Sequence, residues 1–528
     1  MSEGTTERAA GAMHHQSLPA GIASKRLGRF AALIALVIPH IHAAAATAKA
    51  LTPRPNVLFV ILEDWGPFLG CYGEKVMHTP HLDRLAAEGR RYDYCFTSAP
   101  VCSTGRSSLM TGMSQYTTHA EQHRTASPKP KLPAGVKSVS DIFRDAGYFT
   151  ALGCGYSAKI DVNFDFNQSP SYQADDWSKG QPGQPWFAHL TLIRTHRAWR
   201  SDPSHPIDPA KVTLPPWYPD TPLTRKDWAL ALESAQLSDQ SMREIITRLK
   251  REGIYDNTAI IVTADHGVAL PRAKQFLYDD GLHIPLIIKW PARAKPATAS
   301  DELVSNVDIL PTMLAIAGLP IPRTIQGRDL LAPGATPRQY IFAGRDKMDS
   351  THDAMRAIRS RNFKYILNLM PERAYCQFND YKERAYPGLA VLNVLHLQGK
   401  LSPEQDAFMQ STKPPEELYD LRSDPHELHN LANDPAYAAT LRELRSELGK
   451  WQAAVGDTGV TQAFRNSGWL AKYPTRTLAQ WQQIVSEWES HLLRGGPAPA
   501  ISAPPEFEDG EGMVRPANAK RKGQKQKE

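Results

Sequence analysis

The sequence predicts an α/β fold, a large and mostly parallel central sheet flanked by helices, followed by a smaller C-terminal antiparallel sheet with a helix. Three observations predict it. The runs Asn56-Val57-Leu58-Phe59-Val60-Ile61-Leu62 and Thr258-Ala259-Ile260-Ile261-Val262-Thr263-Ala264 are apolar and rich in β-branched residues, the profile of strands buried on both faces. Helix-periodic stretches separate them, most clearly residues 223–250. From about Gln339 the pattern changes to short strands, 340–343 and 363–368, with a closing helix over 437–451.

Composition bounds the function before any motif does. The 528 residues suffice for one large core and a smaller second one. The 61 basic and 55 acidic residues leave a net charge of +6, part of it in the stretch Lys520 to Lys527. So mild an excess suits an anionic substrate and does not argue for nucleic acid. Lys25, Arg26 and Arg29 precede an apolar run over 30–38, and Ala44-Ala45-Ala46 or Ala46-Thr47-Ala48 offers a cleavage site. We read this leader as an export signal that places the mature protein in the periplasm or outside the cell; Met13 is an alternative start. No later stretch has the length and apolarity of a membrane helix. Five cysteines are too few and too irregular for a disulfide scaffold, although a pair among them is compatible with an oxidising compartment. The expected parts are a leader (1–50), a large catalytic domain (51–338), a smaller domain (339–496) and a disordered basic tail (497–528).

In chain order, the first buried run ends in Glu63-Asp64, two acids whose burial requires a positive partner. A short helix over 81–88, started by Thr79-Pro80 and stopped by Gly89, leads through Tyr92 to Phe96 and into a loop carrying Cys102. Pro100 breaks what precedes it. Ser103 and Thr104 are N-cap types, Leu109 and Met110 give the next helix an apolar side, and Gly112 stops it. A cysteine at a helix start meets unpaired N–H groups and the positive end of the dipole, which suits a nucleophile or an oxyanion. Arg106, about one turn on, brings a fixed charge to the same side. His119, His123 and Arg124 follow; contact with an anionic substrate is one reading of them, and a polar surface loop is the default.

Residues 138–146 predict an amphipathic helix, 147–152 a strand and 186–192 another strand ending near Thr195-His196. A histidine there is placed for proton transfer near neutral pH. The Pro- and Trp-rich remainder of 169–222 suits a substrate-binding insertion. The second buried run ends in Asp265-His266-Gly267. Two such strand ends meet at the carboxyl edge of one parallel sheet, where ligands bind in open α/β folds. Acids converging there with a histidine need a cation between them, and oxygen-rich ligands favour calcium or magnesium.

The segment Cys102-Ser103-Thr104-Gly105-Arg106, with Leu109-Met110-Thr111-Gly112 after it, resembles the signature of the type I sulfatases, Cys-x-Pro-Ser-Arg followed by Leu-x-Thr-Gly. Thr104 stands for the usual proline and Gly105 for the usual serine. Four more stretches follow in the family's order. They are Lys159-Ile160-Asp161-Val162-Asn163-Phe164, Thr195-His196, Asp265-His266-Gly267 with Lys274 to Leu286, and Glu417-Leu418-Tyr419-Asp420-Leu421. The resemblance covers residues 54–453 and is nearest to bacterial relatives of the heparan N-sulfatases. It implies an alkaline-phosphatase-like fold and a Cys102 oxidised by a maturation enzyme to formylglycine, the nucleophile. It also implies a divalent cation, Ca2+ or Mg2+, held by Glu63, Asp64, Cys102, Asp265 and His266. Arg106, Lys159 and Lys274 would neutralise the transferring group, and His196 would protonate the leaving atom. Here Lys159 is not followed by the family's frequent Lys-x-His histidine, and His283 replaces a frequent arginine. The implied substrate is a sulfated carbohydrate. Competing readings are a phosphoester or phosphonate hydrolase on the same fold, a thiol enzyme, and a non-catalytic binder of sulfated glycans.

Overall fold

Apolar runs with little polar relief have no face to offer solvent, and in the computed structural model they become the centre of a sheet. The structure describes residues 54–501 except 125–127, 291, 293–294, 350 and 467–475, so the leader and most of the basic tail lie outside the described residues. Seven strands form the main sheet: β1 (Asn56–Leu62), β2 (Arg90–Phe96), β3 (Phe149–Leu152), β4 (Trp186–Leu192), β5 (Thr258–Ala264), β6 (His283–Lys289) and β7 (Thr298–Ser305). Their order is β3-β4-β1-β5-β6-β2-β7. All neighbours are parallel except β6, which runs antiparallel to both β5 and β2. Every residue of β1, β4 and β5 is buried, and each large apolar side chain so placed contributes roughly 1.5–3 kcal/mol.

Register fixes where these strands stop. Leu62 pairs with Leu192 on one side and with Ala264 on the other, so β1, β4 and β5 end level with one another. The residues just beyond, Glu63-Asp64, Ile193 to His196 and Asp265-His266, therefore emerge side by side at the carboxyl edge. Helices cover the sheet: Pro80–Glu88, Cys102–Thr111, Val139–Asp145, Ile309–Ile316 and the long Pro222–Arg251. Thr221 caps the long helix through a reciprocal bond with Thr224, and Ser138 caps its helix at Asp141. The strand expected over 147–152 starts only at Phe149, because Gly147 turns the chain at φ 87°.

The second sheet comprises β8 (Ile341–Arg345), β9 (Met355–Arg359), β10 (Phe363–Asn368) and β11 (Glu416–Asp420), all antiparallel in the order β11-β10-β9-β8. The helix Ala438–Val455 seats Leu444 and Leu448 on Ile358, Tyr365 and Leu418 of this sheet. Two helices with no counterpart in the sequence reading, Pro387–Leu397 and Leu478–Arg494, pack through Ala390, Trp481 and Ile484. No helix among the described residues is long and apolar enough to cross a membrane. All five cysteines are free.

Candidate active site

The level strand ends gather the acids. Glu63 and Asp64 are fully buried, and Asp64 adopts φ 52°, a conformation that costs a non-glycine residue energy. Asp265 Oδ1 accepts the backbone N–H of Asp64 at 2.9 Å and of His266 at 3.1 Å. His266 Nδ1 lies 2.8 Å from the Gly267 carbonyl, which can only accept, so the proton sits on Nδ1 and Nε2 carries the lone pair. That lone pair faces Asp64 Oδ1 at 2.9 Å and Cys102 Sγ at 3.3 Å. Donor atoms of Asp64, Cys102, Asp265 and His266, all buried, lie within 4.8 Å of one another. Acceptors so crowded fit a hard cation with a carboxylate-rich shell.

Glu63 belongs to a different grouping, with Asp64 and His196. Its two oxygens are engaged by cations, Oε2 by Arg106 and Oε1 by Lys159. Burial would raise the Glu63 carboxyl, but the Arg106 and Lys159 charges outweigh it and hold the group well below the usual carboxylate range. Arg106 is itself fully buried and spends its remaining donors on Asp265 Oδ2 (3.0 Å), the Lys159 carbonyl (3.1 Å) and Thr191 Oγ1 (3.2 Å). Lys274 Nζ reaches Asp64 Oδ2 at 2.5 Å and Cys102 Sγ at 3.6 Å. The Asp64 carboxyl would likewise rise on burial, and the charge of Lys274 leads in holding it down. For Cys102 burial prevails over Lys159 and Lys274 and pushes the thiol well up.

His196 closes the outer side. Its Nδ1 lies 2.5 Å from the Arg197 carbonyl and its Nε2 3.7 Å from Asp64 Oδ2, with 28 % of the side chain exposed. That carbonyl fixes a proton on Nδ1 and leaves Nε2 as the nitrogen turned toward Asp64. Lys274 sits in a loop whose neck is closed by Gly267 and Gly281, the N–H of the first donating to the carbonyl of the second at 2.9 Å. A Cβ on either glycine would stand within 2.2 Å of a backbone oxygen, so only glycine fits there.

The nucleophile helix begins differently from the sequence reading. Val101 is the N-cap and Cys102 the first helical residue, so Ser103 and Thr104 lie inside the helix. Ser103 Oγ instead meets His123 Nδ1 at 2.8 Å, and Thr104 Oγ1 is buried without a hydrogen-bond partner. His123, expected on a surface loop, is buried against Ser103 and Asp349. Asp161 and Asp349 also reach the site; Asp161 stands in the Lys159 stretch of the sequence reading without a role of its own, whereas Asp349 had no signal. His283 stays outside, its Nε2–H donating to the Asp93 backbone oxygen at 2.8 Å across β6 and β2.

The Sulfatase family profile matches residues 55–169 and 161–319, half of the chain. The chain belongs to the sulfatase family. The profile described as N-sulphoglucosamine sulphohydrolase, C-terminal, matches residues 271–369 of this sulfatase. An ulvan-active sulfatase of Formosa agariphila is 32% identical over 466 residues, covering 78% of this chain and 77% of the relative. Human N-sulphoglucosamine sulphohydrolase is 27% identical over 475 residues, covering 77% and 91%. The fold is shared with a structure solved with its substrate D-glucosamine-2-N,6-O-disulfate (TM-score 0.57, 18% identity, 77% of this chain and 99% of that one). It is also shared with the phosphonate monoester hydrolase of Silicibacter pomeroyi (TM-score 0.56, 20% identity, 80% and 100%). As a member of this family the protein is a sulfuric ester hydrolase.

Proposed function

We propose that this sulfatase is an exported enzyme that removes sulfate from a sulfated carbohydrate, using formylglycine at position 102 and a divalent cation. The observation that carries the reading is the convergence of Asp64, Cys102, Asp265 and His266 on one point, with Lys274 and Arg106 bonded to their carboxylates. The carbohydrate class is supported by the ulvan-active and N-sulphoglucosamine relatives, and export by the leader at 25–48. The sequence division into a catalytic part (51–338) and a smaller part (339–496) is kept in this reading.

Asp64, Asp265, His266 and residue 102 would hold the cation, Ca2+ or Mg2+; together cation and formylglycine supply the hydrated nucleophile and positive charge for the transferring group. Glu63 is assigned to charge balance, holding Arg106 and Lys159 as cations beside the cleft. Lys274 and Lys159 bind sulfate oxygens from two sides, and Arg106 anchors Asp265 while adding fixed charge. His196, protonated on both nitrogens, gives its Nε2 proton to the leaving oxygen or nitrogen and is left neutral with Nδ1–H on the Arg197 carbonyl.

The test is peptide mass spectrometry across Cys102 on protein made with a formylglycine-generating maturation enzyme, followed by rates on matched sulfate and phosphate esters. Residue 102 is expected as the aldehyde, with sulfate esters cleaved faster. A plain thiol, with a control sulfatase converted in the same cells, would overturn the mechanism. Faster phosphate or phosphonate cleavage would move the enzyme to the other hydrolase class on this fold.

A further inference from the structure

Nine non-glycine residues among those described adopt positive φ, and five of them belong to one place: Asp64, Arg124, Asp161, Gln275 and Asp349. Asp64 has its part in the cation site. The other four form a cluster that the proposed chemistry does not use. Arg124 Nη2 donates to Asp161 Oδ2 at 3.2 Å, its Nη1 lies 3.9 Å from Asp349 Oδ1, and Gln275 Nε2 holds Asp349 Oδ2 at 2.7 Å. The four come from separate segments, each in a conformation that ordinarily costs a side-chain-bearing residue about 1 kcal/mol or more.

The cluster sits at the mouth of the cleft. The Arg124 N–H donates to Oγ of Ser103, the residue after the nucleophile, at 3.2 Å. Asp161 also takes Lys159 Nζ at 3.4 Å. The exposures are graded: Arg106 is fully buried and Lys274 nearly so, Lys159 is 23 % exposed and Arg124 53 %. Asp161 and Asp349, at 18 % and 19 %, are much more buried than the guanidinium they hold. Arg124 is thus tied at its tip to two carboxylates while half of its side chain stays open to solvent. The inner cations suffice for the sulfate that is cut, and an arginine held one layer out is positioned for something else on the same ligand.

We propose that Arg124 is a specificity-determining residue that binds a second anionic group, a carboxylate or a further sulfate, on the sugar carrying the scissile sulfate or on its neighbour. This rests on the sulfated-carbohydrate reading of the site. Planar, forked N–H donors match both oxyanions, and a guanidinium kept in place by carboxylates loses little freedom on binding.

The experiment compares wild type, Arg124→Ala and Arg124→Lys on three compounds: a disaccharide with a single sulfate, the same compound with a uronate carboxylate, and the same compound with a second sulfate. Arg124→Ala is expected to raise KM for the doubly charged compounds by about 10- to 100-fold. Its preference for them over the singly charged one falls at least about tenfold, and Arg124→Lys recovers part of it. The compound that loses more identifies carboxylate or sulfate as the group recognised. An equal change on all three compounds, or no change, overturns the inference. If wild type cleaves none of them, the sulfated-carbohydrate reading fails separately. Calorimetric binding of the same compounds then decides: a preference lost in Arg124→Ala supports the anion role, and one absent or retained overturns it.

Discussion

The two departures from the family signature at positions 104 and 105 respond oppositely to being reversed, and the structure supplies the magnitudes. A Cβ on Gly105 would stand 2.6 Å from the backbone oxygen of Asp265, 3.1 Å from Thr97 Oγ1 and 3.2 Å from the Ala99 oxygen. Ordinary carbon contacts begin near 3.5 Å, so the Asp265 backbone or the helix has to move by roughly 0.5–1 Å. Overpacking of this kind costs about 1–3 kcal/mol. Against it stands the gain of about 0.5–1 kcal/mol for replacing glycine inside a helix. The net expectation for Gly105→Ser, and for Gly105→Ala as the smaller probe, is a loss of up to about 2.5 kcal/mol in urea unfolding. Because Asp265 also aligns Asp64, His266 and Arg106, kcat/KM on a sulfate ester is expected to fall by about tenfold or more. Thr104→Pro is the contrast. Its Oγ1 has no partner to lose, and its N–H lies in the first turn, where no intrahelical acceptor is available. Stability should stay within about 1 kcal/mol. A Gly105→Ala protein that is more stable by the helix-propensity gain and equally active would refute the packing argument.

Three further outcomes are expected. His189, in the middle of β4, bonds Tyr172 through Nδ1 and has no partner at Nε2; burial and the nearby Arg106 charge lower it to about 3. Its neutral form is favoured in the folded state, so the stability it supports is present above the ordinary value of 6.5 and is lost as pH falls toward 3. At pH 5 that loss is about 2 kcal/mol, and thermal melts of His189→Leu should show a flatter slope between pH 6.5 and 4 than wild type. Glu63→Gln leaves Arg106 and Lys159 short of one counter-charge in a buried setting, and a loss of up to about 3–5 kcal/mol in chemical denaturation is the expectation. His196→Gln should lower kcat by about 10²–10⁴-fold on a sugar sulfate, but far less on an aryl sulfate whose phenolate leaves without a proton. Equal losses on both would remove His196 from proton transfer.

The parts of the fold that could be read from the sequence are those where one period dominates. β1, β4, β5 and β10 have the bounds that their apolar runs suggest, and the long helix is displaced by one residue at each end. β7, with the sequence Thr-Ala-Ser-Asp-Glu-Leu-Val-Ser, is half-exposed at the sheet edge and carries no such pattern. β9 is fully buried although it contains two arginines, because Arg356 is neutralised by Asp346 and Asp457 and Arg359 by Asp279. Those partners are set by tertiary structure alone. The same holds at the site. Asp64, Asp265 and His266 announce themselves as polar residues following apolar strands. Ser103 has the composition of a cap, yet its hydroxyl faces His123, which a linear reading leaves at the surface. Asp349 arrives from the loop between β8 and β9, more than 220 residues after its partner Arg124.

The glycine-closed neck around Lys274 has a consequence for motion. β6 runs against its neighbours, so the chain leaves β5 at the carboxyl edge, makes its excursion and re-enters the sheet at that same edge. Almost the whole excursion is buried, and its ends are tied by the bonds from Gly267 and Val268 to Gly281 and Asp280. A segment of this kind opens only when the sheet does. Its amides should exchange with deuterium as slowly as those of β5, although most of them belong to no helix or strand. Lys274 is then held in place beside Asp64 before substrate arrives, and any rearrangement that admits the substrate falls to other segments around the site.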